Sequence, residues 1–395
     1  MNDTIRDVVF VDGVRTPFGK AGKLFEDTRA DDLIIRAIRT LLRRNPGLPP
    51  ERVDEVALAA TTQIGDQGLT LGRTAALLSG LPRSVPGYSI DRMCAGAMTA
   101  VTNVAAAIAS RQYDIAIAGG VESMSNHPMG EGVDPNPRIV AERLVDPDAL
   151  QMGVTAENLH DLYPQLTKER ADAYAVQTQQ RYAAAVDKLA ADITTMAARS
   201  DEGWTVATGD ELPRPSTSME GLANLRTPFR PHGRVTAGTS SPNTDGATAC
   251  LIADAETAAE LGLPVAMKMV GFAFAGVDPE TMGVGPIPAT EKALARAGLT
   301  IDDIGLFEIN EAFAVQVLAF LDHFKIADDD PRVNPWGGAI AMGHPLASSG
   351  VRLMTQLARE FAEHPEVRYG VTTMCVGLGQ GGTVIWENPN FKGAN

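Results

Sequence analysis

The sequence predicts an α/β protein in which a mainly parallel sheet carries helices on both faces. Two observations lead to this expectation. Short apolar runs that end in glycine or a polar residue alternate with helical patterns near both ends of the chain, and a long stretch of polar, proline-containing loops separates the two alternating parts. Such alternation favours parallel sheets, because a parallel connection needs a crossover helix. The length of 395 residues suggests two or three domains.

The N-terminal part begins with a strand and then alternates helices with strands. Val8–Val11 is a short apolar run that Asp12 and Gly13 close. The elements predicted after it are a helix at Asp31–Arg44, a strand at Val53–Ala60, a helix at Thr70–Leu78, a strand at Tyr88–Arg92, a helix at Cys94–Ser110 and a strand at Ile115–Gly120. This order is typical of successive β-to-α units.

The alternation of strands and helices stops between about Val121 and Ala249, where short polar loops and prolines are frequent. One long helical pattern starts in this region near Thr167. The residues on its apolar face are Ala171, Tyr174, Ala175, Thr178, Tyr182, Ala185 and Leu189. We interpret the region as an insertion into the alternating pattern.

The alternation of strands and helices resumes after the insertion. The predicted elements are a strand at Val265–Phe274, a helix at Thr290–Ala297, a strand at Leu306–Asn310, a helix at Glu311–Phe324, a helix at Ser348–Phe361 and strands at Tyr369–Thr373 and Gly382–Trp386. Both parts place a reactive residue in a tight turn before a long helix, around Cys94 and around His344. An internal duplication would explain this, and so would the pattern that all α/β proteins share. Two similar halves facing each other would form a cleft.

Composition restricts the possible functions. With 34 basic and 49 acidic side chains the formal charge is −15, which disfavours non-specific binding to nucleic acid or anionic membranes. No apolar run approaches the ~18 residues that a membrane span needs. Three widely spaced cysteines, Cys94, Cys250 and Cys375, argue against a disulfide framework or a structural zinc site. A strand-like run from Ile5 leaves no room for a signal peptide, so we expect a cytoplasmic protein.

Cys94 lies between a predicted strand and a predicted helix. The unpaired N–H groups and the dipole at a helix N-terminus favour an anion, which would lower the pKa of the thiol from ~8.5. This position therefore suits a nucleophile. The alternative is a small buried apolar residue.

Two further segments combine a reactive side chain with glycines. His344 ends the glycine-rich segment 337–344, where it could accept a thiol proton or donate to an oxyanion, or simply cap a turn. Cys375 precedes the glycine loop 377–382 after a predicted strand, where open α/β sheets place ligands. The alternative for Cys375 is an inert thiol beside a structural turn. No G-x-G-x-x-G follows the first strand, so a dinucleotide site fits poorly.

Asn310 stands where a predicted strand ends and a predicted helix begins. Its amide could cap that helix, or it could orient a water molecule or a carbonyl oxygen. Glu311, the next residue, would then favour the positive helix terminus.

The segment Pro213–Arg234 is basic in an acidic chain. It holds Arg214, Arg226, Arg230, Arg234 and the single acid Glu220, a local charge of 4 − 1 = +3. It is either an anion-binding surface or an ordinary solvated face. The following segment 236–246 is small and polar, and could line a narrow tunnel or form turns.

Together these motifs resemble the thiolase family over essentially the whole chain. The matching segments are Arg15–Lys20, Met93–Cys94, Gly119–Ser125, Met152–Asn158, Thr236–Gly238, Asn310–Phe313, Gly343–Pro345 and Cys375–Gly377. Two cysteines, a histidine and an asparagine occur in these contexts in the order typical of the family. The resemblance is therefore specific.

The resemblance implies a thiolase-like fold of two duplicated α/β halves in a layered α-β-α-β-α arrangement plus an inserted loop domain. Residues 1–120 would form the N-terminal half, completed by about 247–268, and residues 269–395 the C-terminal half. Residues 121–246 would form the inserted domain that covers the coenzyme A site. The family assembles as dimers or tetramers, so we expect a homodimer or homotetramer, with a hydratase or dehydrogenase subunit as a further candidate partner.

The resemblance also implies residue roles. Cys94 would be the acylated nucleophile and His344 would accept its proton. Cys375 would protonate the acetyl-CoA enolate and later deprotonate coenzyme A. One oxyanion site would combine His344 with a water molecule held by Asn310, and another the backbone N–H groups of Cys94 and Gly377.

Substrate contacts follow from the same resemblance. Arg214 and Ser241 match positions that contact coenzyme A in relatives, and Met152 and Met282 match residues that line the acyl pocket. Phe313, in the motif that follows Asn310, belongs with them. Coenzyme A would be a substrate, and no permanently bound cofactor or metal is expected.

Several positions depart from the family pattern and concern the shape of the pocket. They are the turn Cys94–Ala97, Asp91, Trp336 before Gly337 and Ala347 after His344. Thr239–Ser241 and Gln151 resemble degradative more than biosynthetic thiolases.

The implied activity is an acyl transfer that cleaves 3-oxoacyl-CoA with coenzyme A to acetyl-CoA and a shortened acyl-CoA, as in fatty acid β-oxidation. The alternatives are a biosynthetic acetoacetyl-CoA thiolase that condenses two acetyl-CoA, a ketoacyl synthase, and a non-catalytic acyl-CoA or sterol carrier. Cys375 in its glycine loop favours a thiolase over a ketoacyl synthase. A non-catalytic carrier would be expected to lack a reactive residue, and none is missing from this sequence.

Overall fold

A sheet of ten strands forms the centre of the molecule. The structure is a computed structural model that describes residues 5–200 and 203–393. The strands are β1 Val8–Arg15, β2 Gly19–Lys20, β3 Glu55–Ala59, β4 Gly87–Ile90, β5 Ile115–Ser123, β6 Met196–Ser200, β7 Gly203–Ala207, β8 Thr244–Asp254, β9 Met267–Gly276, β10 Ile304–Ile309, β11 Tyr369–Val376 and β12 Gln380–Glu387. The helices are α1 Ala30–Arg44, α2 Leu71–Leu78, α3 Gly96–Ala109, α4 Arg138–Ala141, α5 Met152–Leu162, α6 Lys168–Leu189, α7 Met219–Ala223, α8 Ala255–Glu260, α9 Pro286–Ala297, α10 Ala314–Phe324, α11 Ala339–Met342 and α12 Ser349–Glu363.

The two halves of the sheet repeat one strand order. In the first half the order is β4-β3-β5-β8-β1, and in the second it is β10-β11-β12-β9. β10 corresponds to β3. Where β3 pairs in parallel with β4, β10 forms a single parallel bridge from Phe307 to Val333. The strand directions also correspond, since β3–β5 and β10–β11 are parallel while β5–β8 and β11–β12 are antiparallel. The repeated topology confirms the internal duplication.

The expectation of a mainly parallel sheet is wrong. Among the described strands of this sheet, six pairings are antiparallel and three are parallel. In each half the last strand, β8 or β12, lies between the first strand and the parallel strands and runs against both neighbours. In the second half the cause is local, because a turn of only three residues joins β11 to β12 and forces an antiparallel hairpin.

Two helices and one strand pairing connect the halves. β1 and β9 pair at Val9 with Lys268 and at Phe10 with Met267, which joins the two half-sheets. Helices α3 and α12 pack between the halves in a shared apolar core. They approach closely, since a Cβ atom on Gly350 of α12 would lie 2.5 Å from the backbone nitrogen of Met98 of α3. Glycine at this position therefore permits the central helix layer.

The remaining long helices cover the outer faces. Helices α1 and α2 pack on the first half, and α9 and α10 pack on the second. Helices α5 and α6 of the inserted region lie against α10. The resulting order of layers is helix, first half-sheet, helix, second half-sheet, helix, as the sequence resemblance implied.

Helix α6 confirms the face predicted from its sequence. All seven residues of that face, from Ala171 to Leu189, are buried. A buried ion pair also ties this region to the first half, because Arg15 contacts Asp210 through two nitrogen atoms, at 2.6 and 2.9 Å, and Tyr182 of α6 donates to the same carboxylate. Strand β8 begins at Thr244, so the chain returns to the first half three residues before the expected position near 247.

Candidate active site

Cys94 lies in a strained turn between β4 and α3. The turn Met93–Ala95 is 3₁₀ rather than α-helical, and α3 begins only at Gly96. Met93 has φ of +43°, which is uncommon for a residue with a side chain, and the Asp91 carboxylate accepts its N–H at 2.6 Å. Strained residues of this kind cluster at functional sites. The turn leaves Cys94 9% exposed at the end of the central helix layer.

The expected lowering of the Cys94 pKa is wrong. Burial raises the pKa of this thiol to about 12, and the neighbouring carboxylate of Glu122 adds to the effect. The backbone N–H groups of Gly377 and Cys94 point toward the sulfur and oppose the rise only in part. Desolvation of a fully buried thiolate therefore outweighs the favourable helix terminus. The resting group is therefore a thiol.

His344 lies in a buried turn that fixes its backbone and its ring. Its N–H donates to the Thr244 hydroxyl at 3.0 Å, and Gly343 before it has φ of +104°. The ring Nδ1 lies 2.6 Å from the hydroxyl of Ser349, and that hydroxyl donates in turn to the carbonyl of Pro345. Nδ1 therefore carries the proton and donates, which leaves the Nε2 lone pair available.

The imidazole of His344 is neutral. Burial lowers its pKa to about 3, and the positive charge of Arg352 contributes to the decrease. The amide nitrogen of Asn310 lies 3.3 Å from Nε2, and the amide oxygen of Asn310 accepts from Arg352 at 3.2 Å. The site therefore holds an uncharged base with a donor beside it.

Asn310 and Glu311 differ from their predicted positions in a helix. Helix α10 begins at Ala314 with Phe313 as the preceding residue, so Asn310 is not its N-cap and Glu311 is not in its first turn. The buried Glu311 carboxylate instead accepts hydrogen bonds from Tyr174 at 2.9 Å and from Thr178 of α6, as well as from Asn334 and the Ile340 N–H. These contacts hold α6 against the second half and leave Asn310 facing His344.

Cys375 and Gly377 bring the end of β11 to the turn of Cys94. Burial raises the pKa of the Cys375 thiol, and the nearby Cys94 sulfur raises it further, so the two thiols are electrostatic neighbours. A Cβ atom on Gly377 would lie 2.6 Å from the Met93 sulfur and 3.6 Å from the Met152 sulfur. A side chain at this position would require the Met93 side chain to move. The structure thus places the two cysteines, which are far apart in the sequence, in one site.

Three residues expected around an acyl chain share one apolar cluster. Met152 at the start of α5, Met282 and Phe313 belong to this cluster, which also contains Cys375. We refer to these three side chains as the apolar wall. The N–H of Ser241 donates to the carbonyl of Ala312, the residue before Phe313, at 2.9 Å.

The basic segment is less positive than its sequence suggests. Arg230 and Arg234 both contact Asp161 of α5, so half of the four arginines are paired. Arg214 and Arg226 are exposed, and across residues 5–200 and 203–393 no carboxylate lies within 4.0 Å of either guanidinium group. The Arg214 N–H donates to Gln179 of α6 at 2.8 Å, which places this residue against the inserted helix. The free positive charge is therefore reduced to these two side chains.

Ala347, which the sequence analysis noted as a departure, lies in the 3₁₀ turn Leu346–Ser348 after His344. It is fully buried beside Gly96, and its N–H donates to the Glu122 carboxylate at 3.1 Å. That carboxylate also accepts from the N–H of Thr61 and from Gln67. Glu122 therefore links the turn to the first half-sheet.

The buried polar residues that contact His344 and Asn310 were not identified from the sequence. Ser349, Arg352 and Glu308 are buried and contact His344, Asn310 or each other. The only available signal was a polar stripe along the predicted helix Ser348–Phe361. A stripe of this composition is usually exposed, so the sequence gave no reason to place it inside.

Two buried carboxyl groups near Arg352 lead to a pH-dependent prediction. Burial raises the pKa of Glu308 to about 8, and burial together with Glu308 raises the pKa of Glu360 well above its usual range. Both pKa values are raised from the unfolded value of about 4.3, so the stability that this pair contributes is complete below that pH and is lost as the pH rises toward 8. Glu360→Gln carries a neutral side chain at every pH. We therefore expect the melting temperature of this variant, relative to that of the wild type, to increase by roughly 2–5 °C between pH 5 and pH 8.

Glu363→Gln, an exposed position on the same helix, is the matched control for this measurement. Melting temperatures by scanning calorimetry at both pH values would test the expectation. A Glu360→Gln difference that does not change with pH would contradict it.

Two absences hold for the described ranges 5–200 and 203–393. Within them no helix combines the length and the apolar character that crossing a bilayer requires. Nor do three or more His, Cys, Asp or Glu side chains in these ranges gather into a group that could bind a metal ion.

Comparison with known proteins agrees with this geometry. The thiolase N-terminal domain family matches residues 8–256, and the thiolase C-terminal domain family matches residues 263–388. A 3-ketoacyl-CoA thiolase of Pseudoalteromonas translucida is 42% identical over 96% of this chain and 98% of its own. The 3-oxoadipyl-CoA/3-oxo-5,6-dehydrosuberyl-CoA thiolase of Escherichia coli K12 is 41% identical over 97% of this chain and 100% of its own.

Solved structures show the same fold over the whole chain. The crystal structure of human mitochondrial 3-ketoacyl-CoA thiolase superposes with a TM-score of 0.88 at 34% identity, covering 97% of this chain and 99% of the other. The Bacillus anthracis acetyl-CoA acetyltransferase gives the same TM-score at 33% identity and covers 98% of this chain and all of its own. With both family domains matched in order and the repeated halves in place, this chain belongs to the thiolase family.

Proposed function

We propose that this protein is an acetyl-CoA C-acyltransferase that cleaves 3-oxoacyl-CoA with coenzyme A to acetyl-CoA and a shortened acyl-CoA. Two observations carry the proposal: the buried thiols of Cys94 and Cys375 are electrostatic neighbours, and the buried, neutral His344 has an unprotonated Nε2 that faces the Asn310 amide. Thiolysis needs a nucleophile, a base for it and a second acid for the carbon leaving group. The names of the curated relatives support the same reaction class.

In the first half-reaction the Cys94 sulfur attacks the 3-oxo carbon while Nε2 of His344 takes the thiol proton. The C–C bond then breaks, its electron pair forms the enolate of acetyl-CoA, and the acyl group remains on Cys94 as a thioester. Cys375 gives its proton to the enolate carbon. Burial keeps Cys375 in the thiol form at neutral pH, which suits a group that must donate a proton.

In the second half-reaction the Cys375 thiolate takes the proton of the incoming coenzyme A thiol. The coenzyme A sulfur attacks the thioester carbon, the bond to Cys94 breaks, and the departing sulfur regains its proton from His344. The N–H groups of Gly377 and Cys94 would stabilise one oxyanion, and a water molecule between Asn310 and His344 another. Loss of one such donor typically costs about 3 kcal/mol of barrier.

The surroundings of the site fit an acyl-CoA. Met152, Met282 and Phe313 would contact the acyl chain, since these three side chains belong to the apolar cluster that includes Cys375. Arg214 and Ser241 would contact coenzyme A, and the inserted residues 121–246 would cover it. Coenzyme A is a substrate in this scheme, with no permanently bound cofactor.

We propose a cytoplasmic homodimer or homotetramer. Strand β4 is the outer strand of the first half-sheet, and among the strands of residues 5–200 and 203–393 it pairs only with β3, so its other edge could pair with another strand. Leu69 and Leu78 are exposed on the segments before it, at 89% and 49%. Light scattering would give the number of subunits, and co-purification would show whether a hydratase or dehydrogenase subunit binds.

Rates of thiolysis across 3-oxoacyl-CoA substrates of increasing chain length test the function. A degradative enzyme should cleave chains longer than acetoacetyl-CoA at rates equal to or above the rate for acetoacetyl-CoA, because the apolar wall gains contact with each methylene group. A biosynthetic acetoacetyl-CoA thiolase would cleave only the shortest substrate and would condense acetyl-CoA. Binding of acyl-CoA without turnover would instead indicate a carrier and contradict the proposal.

A further inference from the structure

One face of α12 is polar although it is buried between the two halves. The residues on this face are Ser349, Arg352, Gln356 and Glu360, at helical spacings of three and four, and each is at most 3% exposed. Glu308 and Asn310 lie opposite them at the end of β10. They are two residues apart, so in an extended chain their side chains point to the same face of the sheet. A helix stripe and a strand end therefore meet in a polar contact inside the protein.

Arg352 connects the two residues of β10. Its Nη1 donates to Glu308 at 3.2 Å, and its Nη2 donates to the side-chain oxygen of Asn310 at 3.2 Å. The second oxygen of Glu308 accepts from Gln356 at 3.1 Å, so the carboxyl group is held from both sides. The guanidinium group is rigid and has only donors, which makes this bridge directional.

The bridge determines how the Asn310 amide faces His344. An asparagine amide has an oxygen at one end and a nitrogen at the other, and rotation by half a turn exchanges them. Because Arg352 can only donate, the oxygen must face Arg352 and the nitrogen must face Nε2 of His344. In the opposite orientation the amide oxygen would face the Nε2 lone pair, and two acceptors would oppose each other.

We propose that Arg352, held by Glu308, is a positioning residue that fixes the Asn310 amide with its NH₂ group toward Nε2 of His344. The proposal rests on the function assigned above, in which Asn310 and His344 serve the thioester chemistry. A fixed NH₂ group keeps the donor that the oxyanion water needs in place through the reaction. The charge of Arg352 also disfavours protonation of the imidazole and so helps to keep the base form.

A double-mutant cycle tests the proposal through thiolysis of acetoacetyl-CoA. We expect Arg352→Met to lower kcat by about 10- to 100-fold with little change in KM, since orientation and not binding is lost. Arg352→Lys keeps a donor and should retain most of the rate. Because Arg352 acts through Asn310, the double variant Asn310→Ala/Arg352→Met should be no slower than Asn310→Ala alone. Effects that multiply, or Arg352→Lys as slow as Arg352→Met, would overturn the proposal.

Arg359→Met is the matched control for folding. Arg359 lies on the same helix and is paired with Asp12 and Asp192, away from Asn310. We expect this variant to keep kcat within about twofold. A loss as large as that of Arg352→Met would indicate a general weakening of α12 and would overturn the proposal.

Nitrogen-15 NMR of histidine-labelled protein separates this inference from the proposed function. The Nε2 resonance of His344, assigned by its loss in His344→Ala, should move toward that of an unbonded ring nitrogen in Arg352→Met and should move equally in Asn310→Ala. This result would support the positioning role even if the wild type cleaved no 3-oxoacyl-CoA. An unchanged resonance in Arg352→Met would overturn the positioning role even if the wild type were fully active.

Discussion

Cys94→Ala is expected to abolish both thiolysis and formation of the acyl-enzyme. The substitution removes the sulfur that accepts from the Gly377 N–H and neighbours the Cys375 thiol, so the proposed covalent intermediate cannot form. Removing a nucleophile that acts together with a base typically lowers kcat by about four to six orders of magnitude. Acetyl-CoA release from a 3-oxoacyl-CoA would measure the loss, and intact mass spectrometry after incubation with the substrate would show no added acyl mass.

The third cysteine provides the control for Cys94→Ala. Cys250 is fully buried in β8 and takes no part in the proposed chemistry, so Cys250→Ala should retain turnover within a small factor. Both variants lose one buried sulfur, so they differ mainly in position. Near-normal turnover of Cys94→Ala would remove the basis for the nucleophile assignment.

Cys375→Ala is expected to separate the two half-reactions. This variant keeps Cys94 and His344, so a simple thioester such as acetyl-CoA should still acylate it, and the added acetyl mass should be detectable. Thiolysis should fall by about two to four orders of magnitude, because no group remains to protonate the enolate or to deprotonate coenzyme A. The same Cys250→Ala protein serves as reference. The role of Cys375 would be refuted if full thiolysis persisted, and equally if acylation were lost together with thiolysis in a folded protein.

The fold could be predicted from the sequence where local pattern decides the structure. The apolar face of α6 is visible as a helical period, and the structure buries every residue of that face. Strand β8 was not predicted because its residues are small and polar at the start, and such residues usually form turns. They are buried here because the neighbouring strand comes very close, with a Cβ atom on Gly119 placed 2.2 Å from the carbonyl oxygen of Thr248.

Motifs in the sequence identified the candidate residues Cys94, His344, Cys375 and Asn310, but not their electrostatics. In the structure Cys94 and Cys375 are electrostatic neighbours, and Asn310 lies beside His344. The direction of the Cys94 pKa could not be found in this way, because it depends on how completely the rest of the chain excludes water from the sulfur. For the same reason Arg352 was missed, since nothing local shows that a charged helix residue lies inside.

The repeated strand order has a consequence for how the chemistry is divided. The turn of Cys94 leads into α3 of the first copy, while His344 precedes the corresponding helix α12 of the second copy, and Asn310 and Cys375 end strands of that second copy. In the proposed mechanism the first copy therefore supplies the sulfur that carries the acyl group, and the second copy supplies the groups that move protons. The two copies share one strand order, yet in this mechanism neither copy alone contains all of the reacting side chains.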